Sequence, residues 1–246
     1  MTSNVAPVRV SVIVPAHNEA ALLPRCLAAI ATAAAPVDGG VEVVVVDNRS
    51  TDATATLARA AGVTVIANEA RNIAAVRNCG VAAATGDVIV TVDADSVMAP
   101  NALVEIDRLL RSGRYVGGGT KVVAERTSAG IRATLALMEV TTFVTRLSGA
   151  MFWCGRDDFD AVGGFDETRL LAEDIDFARR LRAHGRKTDR RFGKLHSAPL
   201  VISTRKFDRF GDWHMFGMAL QLREIRAAYK GTDASWVDRY FFDFND

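Results

Sequence analysis

Hydrophobic and polar positions along the first half of the chain alternate between two kinds of run. Short β-branched stretches, Val8 to Val14, Val41 to Val46, Val63 to Ala67 and Val88 to Val92, predict strands. Between and after them, Glu19 to Ala35, Asp52 to Ala61, Asn72 to Ala84 and Pro100 to Arg111 are rich in Ala and Leu and predict helices, with Pro100 suited to a first turn. All-apolar strands alternating with helices predict a parallel sheet covered on both faces. The second half is less regular. A strand with a bend is predicted over Tyr115 to Ala124, a helix over Ala129 to Thr145 and a short strand over Ala150 to Cys154. A loop follows over Ala161 to Asp166, then a helix over Glu173 to His184 with Ile175, Phe177, Ala178 and Leu181 on one face, and a long helix over Lys206 to Tyr229.

In a sheet of this kind the ligand crevice lies beyond the carboxyl ends of the strands. The polar residues follow that rule. The first strand runs into Pro15-Ala16-His17-Asn18-Glu19, the second into Asp47-Asn48-Arg49-Ser50-Thr51-Asp52, and the fourth into Asp93-Ala94-Asp95. Three polar clusters at three strand ends point to one cleft.

The 49% hydrophobic content is enough for a substantial core, and 246 residues fit one continuous domain. Within it, 8–112 reads as the regular alternating half, 113–205 as a less regular second half, and 206–246 as a terminal helix and tail. Net charge is +1, which gives no global field for nucleic acid. The basic stretch Arg179 to Arg191 reads as a solvated helix face and loop. Cys26, Cys79 and Cys154 are odd in number and widely spaced, which disfavours a disulfide framework or a zinc site and fits reduced cytoplasmic thiols. The first residues lack a signal-peptide pattern, and no stretch reaches the roughly 20 apolar residues that span a bilayer. The segment 207–229 carries Phe210, Trp213 and Phe216 beside Arg205 and Lys206, and is open to two readings: packing against the domain, or peripheral contact with a membrane surface.

Two carboxylates at the tip of a buried strand must be solvated or bound to something positive. Asp93 and Asp95 therefore suit a hard divalent cation, Mn2+ or Mg2+, bridging to phosphate, or else simply a solvated strand end. Asp47 suits a base imide or ribose hydroxyl, or a helix N-terminal acid. Asn18 and Glu19 read first as a cap and first turn of the next helix. Arg77 fits either phosphate positioning or a salt bridge. Glu173-Asp174 fits a helix start, or a general base whose proton affinity the preceding Leu170-Leu171-Ala172 would raise. His196 would make chemical sense as a further metal ligand. Arg205-Lys206, after Ser203-Thr204, suits a diphosphate at a helix start. GxGxxG and GxxxxGK are both absent, which argues against a dinucleotide-binding or P-loop enzyme.

Five segments together resemble the family 2 glycosyltransferases of GT-A fold. They are Val10-Ser-Val-Ile-Val-Pro-Ala-His-Asn-Glu19, Val46-Asp47-Asn-Arg-Ser-Thr-Asp52, Ala70-Arg-Asn-Ile-Ala-Ala-Val-Arg-Asn-Cys-Gly80, Gly86-Asp87 to Asp95, and Gly163-Gly-Phe-Asp166 to Glu173-Asp174. The resemblance implies a Rossmann-like, mostly parallel sheet, a nucleotide-sugar donor with UDP favoured, and a hydroxyl-bearing acceptor. It implies inverting transfer, and a non-processive one because the Gln-x-x-Arg-Trp of processive synthases is missing. It places Pro15, Ala16, His17, Glu19, Asp47, Arg77, Asp93, Ala94 and Arg205 at the nucleotide sugar. Asp95 and His196 fall to the metal, Asp174 to the base, and Glu173 beside it. Asn48-Arg49 departs from the Asp-Gly or Asn-Gly common in the family at that point. Two other readings compete: a haloacid-dehalogenase-like phosphatase with Asp93 as nucleophile, and a non-catalytic nucleotide-sugar binder.

Overall fold

The computed structural model describes residues 9–217. The alternating half folds as β1 (Val10–Ala16), α1 (Leu23–Ala34), β2 (Val41–Asp47), α2 (Thr54–Ala60), β3 (Thr64–Ala67), α3 (Ile73–Ala83), β4 (Val88–Thr91) and α4 (Ala102–Arg111). The rest comprises β5 (Tyr115–Ala124), α5 (Ala129–Thr145), β6 (Phe152–Gly155), α6 (Arg156–Ala161), α7 (Glu173–Lys187), β7 (Arg191–Ile202), α8 (Arg205–Phe210) and α9 (His214–Gly217). Among the described residues seven strands form one sheet, in the order β3-β2-β1-β4-β6-β5-β7. All neighbours run parallel except β6, which lies antiparallel between β4 and β5. The mixed, mostly parallel sheet is the expected one.

Successive side chains of a strand face opposite sides, and each face has its own core. Val10, Val12 and Val14 of β1 pack with Leu23, Leu27 and Ile30 of α1 and Leu103 and Ile106 of α4. Ile13 packs on the other face with Ala74 and Val76 of α3 and with Phe152, Phe159, Phe165 and Phe177. The rings of Phe165 and Phe177 stack 4.3 Å apart, and Phe152 meets Phe177 edge-on at 5.7 Å.

The glycines of β5 have a packing reason. Trp153 of β6 is fully buried, and a Cβ on Gly118 would sit 2.6 Å from its ring. The indole Nε1 donates to the Gly119 carbonyl at 3.1 Å.

Four expectations are corrected. β7 starts at Arg191, the end of the expected basic loop, and runs where no strand was predicted. Its pattern is broken by Gly193 and by Pro199, which an edge strand tolerates because the N–H that proline lacks is not needed by a neighbouring strand. Against β5 its register jumps from Leu195 to Leu200 while β5 advances two residues, so His196 to Pro199 bulge out. The long terminal helix is broken: α8 ends at Gly211, whose φ of 88° glycine adopts readily, and α9 is a separate turn. The remainder of that expected helix, 218–229, lies outside the described residues. Ile175 is 58% exposed, since only Phe177, Ala178 and Leu181 of that quartet share the inward face of α7. The basic stretch is not all solvated either: Arg190 makes two 2.7 Å bonds to buried Asp158, and Arg180 bonds Asp176 and two backbone carbonyls. No described helix is long and apolar enough to cross a membrane.

Candidate active site

The parallel register sets Ala16 of β1 opposite Asp47 of β2, and Val92 follows β4 with its N–H donating to Ile13 at 3.0 Å. The three polar strand ends therefore lie side by side. Pro15 and Ala16 are buried, and His17 Nδ1 lies 2.6 Å from the Asn48 carbonyl.

Asn18 does not cap α1. That helix begins at Leu23, with no side-chain capping bond at Leu22. Asn18 instead adopts φ 51° and accepts from the Thr51 N–H at 2.8 Å, while the Glu19 and Ala20 N–H groups donate to Thr54 and Asp52. These bonds lace the loop after β1 to the loop after β2. Arg49, where the family often has glycine, holds the left-handed φ of 59° that glycine would favour.

Asp47 is half-buried, and its Oδ1 has no hydrogen-bond partner among the described residues. Asn48 was not a candidate on sequence. It is buried and donates to the Asn68 and Ala70 carbonyls, which ties the loop after β3 to this end of the sheet.

Two arginines organise the carboxylates. Arg77, buried on α3, donates to Glu173 at 2.7 Å and to Asp93 at 3.1 Å, with its guanidinium 5.4 Å from the Phe165 ring centroid. Arg205, the first residue of α8, makes a two-pronged pair with buried Glu19 and reaches Asp95 Oδ2 at 3.2 Å. Glu19 is therefore an ion-pair partner and not a first-turn helix acid. Ala94 is buried between the two aspartates.

Burial, and then Asp93, push the Asp95 carboxyl above its ordinary range, against the pull of Arg205 and Lys206. Burial lowers the Lys206 ammonium, with Asp95 and Asp93 opposing that drop. Glu173 is raised by burial, with Arg77 opposing and Asp174 adding. Cys26, whose Sγ lies 3.7 Å from the Asp93 carbonyl, is pushed up to about 12 by burial and the nearby acids, and stays a thiol.

Asp174 is half-buried at the start of α7, which suits an acid. Its Oδ1 accepts from the Ile175 N–H at 2.7 Å. Its Oδ2 faces Gly149, where an added Cβ would lie 3.9 Å away.

The chemistry of this donor set fits a divalent cation. Counted at formal charge, Glu19, Asp93, Asp95, Glu173 and Asp174 outnumber Arg77, Arg205 and Lys206 by two. Asp93 is exposed and offers oxygen, the ligand that Mn2+ and Mg2+ prefer. His196 does not join this group. It sits on the exposed bulge of β7 and lines a different cavity with Glu139 and Lys194. Among the described residues no three His, Cys, Asp or Glu side chains gather into a metal-holding cluster, so Asp93, Asp95 and His196 are not assembled as a triad.

A mostly parallel sheet with acids at its carboxyl ends and a helix-borne Glu-Asp pair defines a class: this is the GT-A fold of glycosyltransferases. The family model for Glycosyl transferase family 2 matches residues 11–165, and the chain belongs to that family. Membership sets aside the phosphatase reading of Asp93.

Among curated proteins, an uncharacterized glycosyltransferase of Mycobacterium tuberculosis is 36% identical over 103 residues, 40% of this chain and 44% of the relative. A TPR repeat-containing protein of Synechococcus elongatus is 36% identical over 126 residues, 51% of this chain and 29% of the relative. The chain thus spans less than half the length of these curated relatives. Among solved structures, the Pyrobaculum calidifontis mannosyltransferase PcManGT in complex with GDP-Man and Mn2+ superposes with a TM-score of 0.60 at 25% identity, over 78% of this chain and 57% of that one. Staphylococcus aureus TarS 1-349 in complex with UDP-GlcNAc has a TM-score of 0.62 at 18% identity, over 96% and 71%. Glucosyl-3-phosphoglycerate synthase of M. tuberculosis, with Mn2+, UDP and glucosyl-3-phosphoglycerate, has a TM-score of 0.56 at 20% identity, over 88% and 80%.

Proposed function

We propose that the chain transfers a sugar from a nucleotide-diphosphate sugar, UDP favoured, to a hydroxyl acceptor with inversion. The observation that carries this reading is the pair of arginine bridges, Arg77 to Asp93 and Glu173, and Arg205 to Glu19 and Asp95. They bind the donor-side acids and the Glu173-Asp174 pair into one charged cleft with an excess of two negative charges.

Asp47 Oδ1, without a bond of its own, accepts the N–H of a uracil imide, with Pro15, Ala16 and His17 forming the neighbouring wall. Asp93 takes ribose hydroxyls. Asp95, with Asp93, would hold Mn2+ or Mg2+, which when bound would supply positive charge for the diphosphate leaving group. Arg205 and Lys206 add fixed positive charge near that leaving group.

Asp174 is the general base. It takes the acceptor hydroxyl proton as the oxygen bonds to the anomeric carbon, while the bond to the diphosphate breaks and its electron pair leaves with the nucleotide. Glu173 is a positioning residue. Arg77 clamps it, which fixes the first turn of α7 and so the direction of Asp174.

A thermal-shift panel of UDP, GDP and dTDP, with and without Mn2+, tests the donor side, because a ligand of the native state alone raises Tm. The expected result is a rise with UDP plus Mn2+ that exceeds the others and disappears in Asp95→Asn. No rise with any nucleoside diphosphate overturns the reading.

A further inference from the structure

A second cavity, of about 460 Å3, opens between α5 and β7. Its lining is split in character. Phe143 and Val144 of α5 are 83% and 73% exposed, and Phe192 of β7 is half-buried behind them. Apolar surface left in water at this scale is a standing cost of roughly 25 cal/mol per Å2, which an apolar ligand would relieve.

Arg146, Lys194 and His196 supply the other character. Lys194 is taken by Glu139, the cavity's one acid. The side chains of Arg146 and His196 make no hydrogen bond or ion pair among the described residues. Arg146 ends α5 in the left-handed conformation, φ 55°. Beside it, Arg182 donates to the Thr145 carbonyl, and its own charge is disfavoured by burial and by Arg186 and Arg146. Lys121 and His196 act on Glu139 as well. The cavity therefore carries net positive charge next to bare apolar surface.

Its wall adjoins the candidate base: Ser148 lines it, and the next residue is Gly149, where an added Cβ would lie 3.9 Å from Asp174 Oδ2.

We propose that this cavity seats the acceptor, and that the acceptor is amphipathic, with an anionic group beside an apolar stretch. Arg146 and His196 take the anion, Phe143, Val144 and Phe192 cover the apolar part, and the reacting hydroxyl points past Gly149 to Asp174. This inference rests on the transferase reading above, and its test separates the two.

Calorimetric titration of the full chain uses four probes below their micellar concentrations: dodecyl phosphate, dodecyl maltoside, 2-naphthyl phosphate and inorganic phosphate. Dodecyl phosphate should bind at least tenfold tighter than dodecyl maltoside or inorganic phosphate. Arg146→Gln and Phe143→Ser, both at exposed positions, should each weaken it at least fivefold. Equal binding of 2-naphthyl phosphate marks a compact soluble acceptor, whereas selective binding of dodecyl phosphate marks a lipid. Equal affinity for the neutral amphiphile, no binding, or indifference to Arg146→Gln overturns the proposal. The UDP plus Mn2+ thermal shift, run on the same samples, reports the donor site separately, so a lost acceptor site with an intact shift leaves the transferase reading standing.

Discussion

Replacing Arg77 with Met tests the architecture of the cleft most directly. Met keeps the apolar contact with Phe165 and removes only the charge and its donors. The guanidinium lies 2.7 Å from Glu173, and both side chains are about nine-tenths buried. At an effective dielectric of about 20 the attraction at that distance is about 6 kcal/mol. Much of this offsets lost hydration, several kcal/mol for each buried ion. Removing one partner leaves Glu173 buried and uncompensated, which costs about 3–5 kcal/mol, or a fall in Tm of about 10 °C for a chain of this size. Asp93, 56% exposed, is rehydrated and adds little.

The loss should depend on pH in a defined sense. Burial already holds the Glu173 carboxyl above its ordinary 4.5, and Arg77 opposes that rise. Without Arg77 the folded-state value climbs further. An acid whose folded value is raised contributes stability that is fully present below its unfolded value and is lost as pH rises through the folded one. Arg77→Met should therefore lie close to wild type near pH 4.5 and show its full deficit at pH 8. Denaturation of wild type, Arg77→Met, Glu173→Gln and the double variant across that range measures both effects. The double variant should recover a large part of the deficit at pH 8. A deficit of equal size at both pH values, or a double variant no more stable than Arg77→Met, refutes the account of a charge bridge.

Asp174→Asn should lower kcat by about 10²–10⁴ while leaving the UDP plus Mn2+ thermal shift intact, since it removes proton transfer alone; a lost shift would place Asp174 in donor binding instead. Because burial and Asp93 raise the Asp95 carboxyl, nucleotide–Mn2+ affinity should weaken on acidification toward that raised value, and a titration downward from pH 8 in which affinity strengthens instead would count against Asp95 as the ion's ligand. Gly80→Ala should destabilise by about 1–3 kcal/mol by thermal melting, because the new methyl meets Ile13 Cγ2 and comes within 2.8 Å of Val46 Cγ2 in the α3–sheet contact.

Much of the donor half was legible because its signals are local. Val88 to Val92 is an apolar run interrupted only by Thr91 and stopping at Asp93, so strand, end and candidate ligand appear within a few residues of one another. Asn72 reads as a helix start, and its side chain does cap α3 through the Ala74 and Ala75 N–H groups. What could not be read is what distance in sequence hides. The Arg205–Glu19 pair joins residues 186 positions apart, and Arg77 reaches 96 positions to Glu173. Asn48 carries an ordinary turn signature and gives no sign that its amide serves two carbonyls of another loop. β7 was missed because Gly193, Lys194, His196 and Pro199 dilute a strand pattern that the edge of a sheet tolerates. Ligand chemistry and the resemblance point His196 to the metal, and the bulge that turns it elsewhere is visible only in the register.

That missed strand explains why the cleft holds its shape. Val97, two residues after Asp95, exchanges two backbone hydrogen bonds with Val201 of β7, at 2.8 and 2.9 Å. Four residues beyond Val201 stands Arg205. One two-bond bridge therefore fixes both the loop that presents Asp95 and the helix start that answers it, and the 3.2 Å contact between them follows from the pairing. Glu125, at the end of β5, accepts from the Thr204 N–H at 3.0 Å and locks the same junction from the other side. The acids at the carboxyl ends of β1 and β4 would repel one another in a bare cleft. The cations that hold them together arrive from elsewhere in the chain, Arg77 on α3 and Arg205 at the far edge of the sheet, the latter set in place by the pairing of Val97 with Val201.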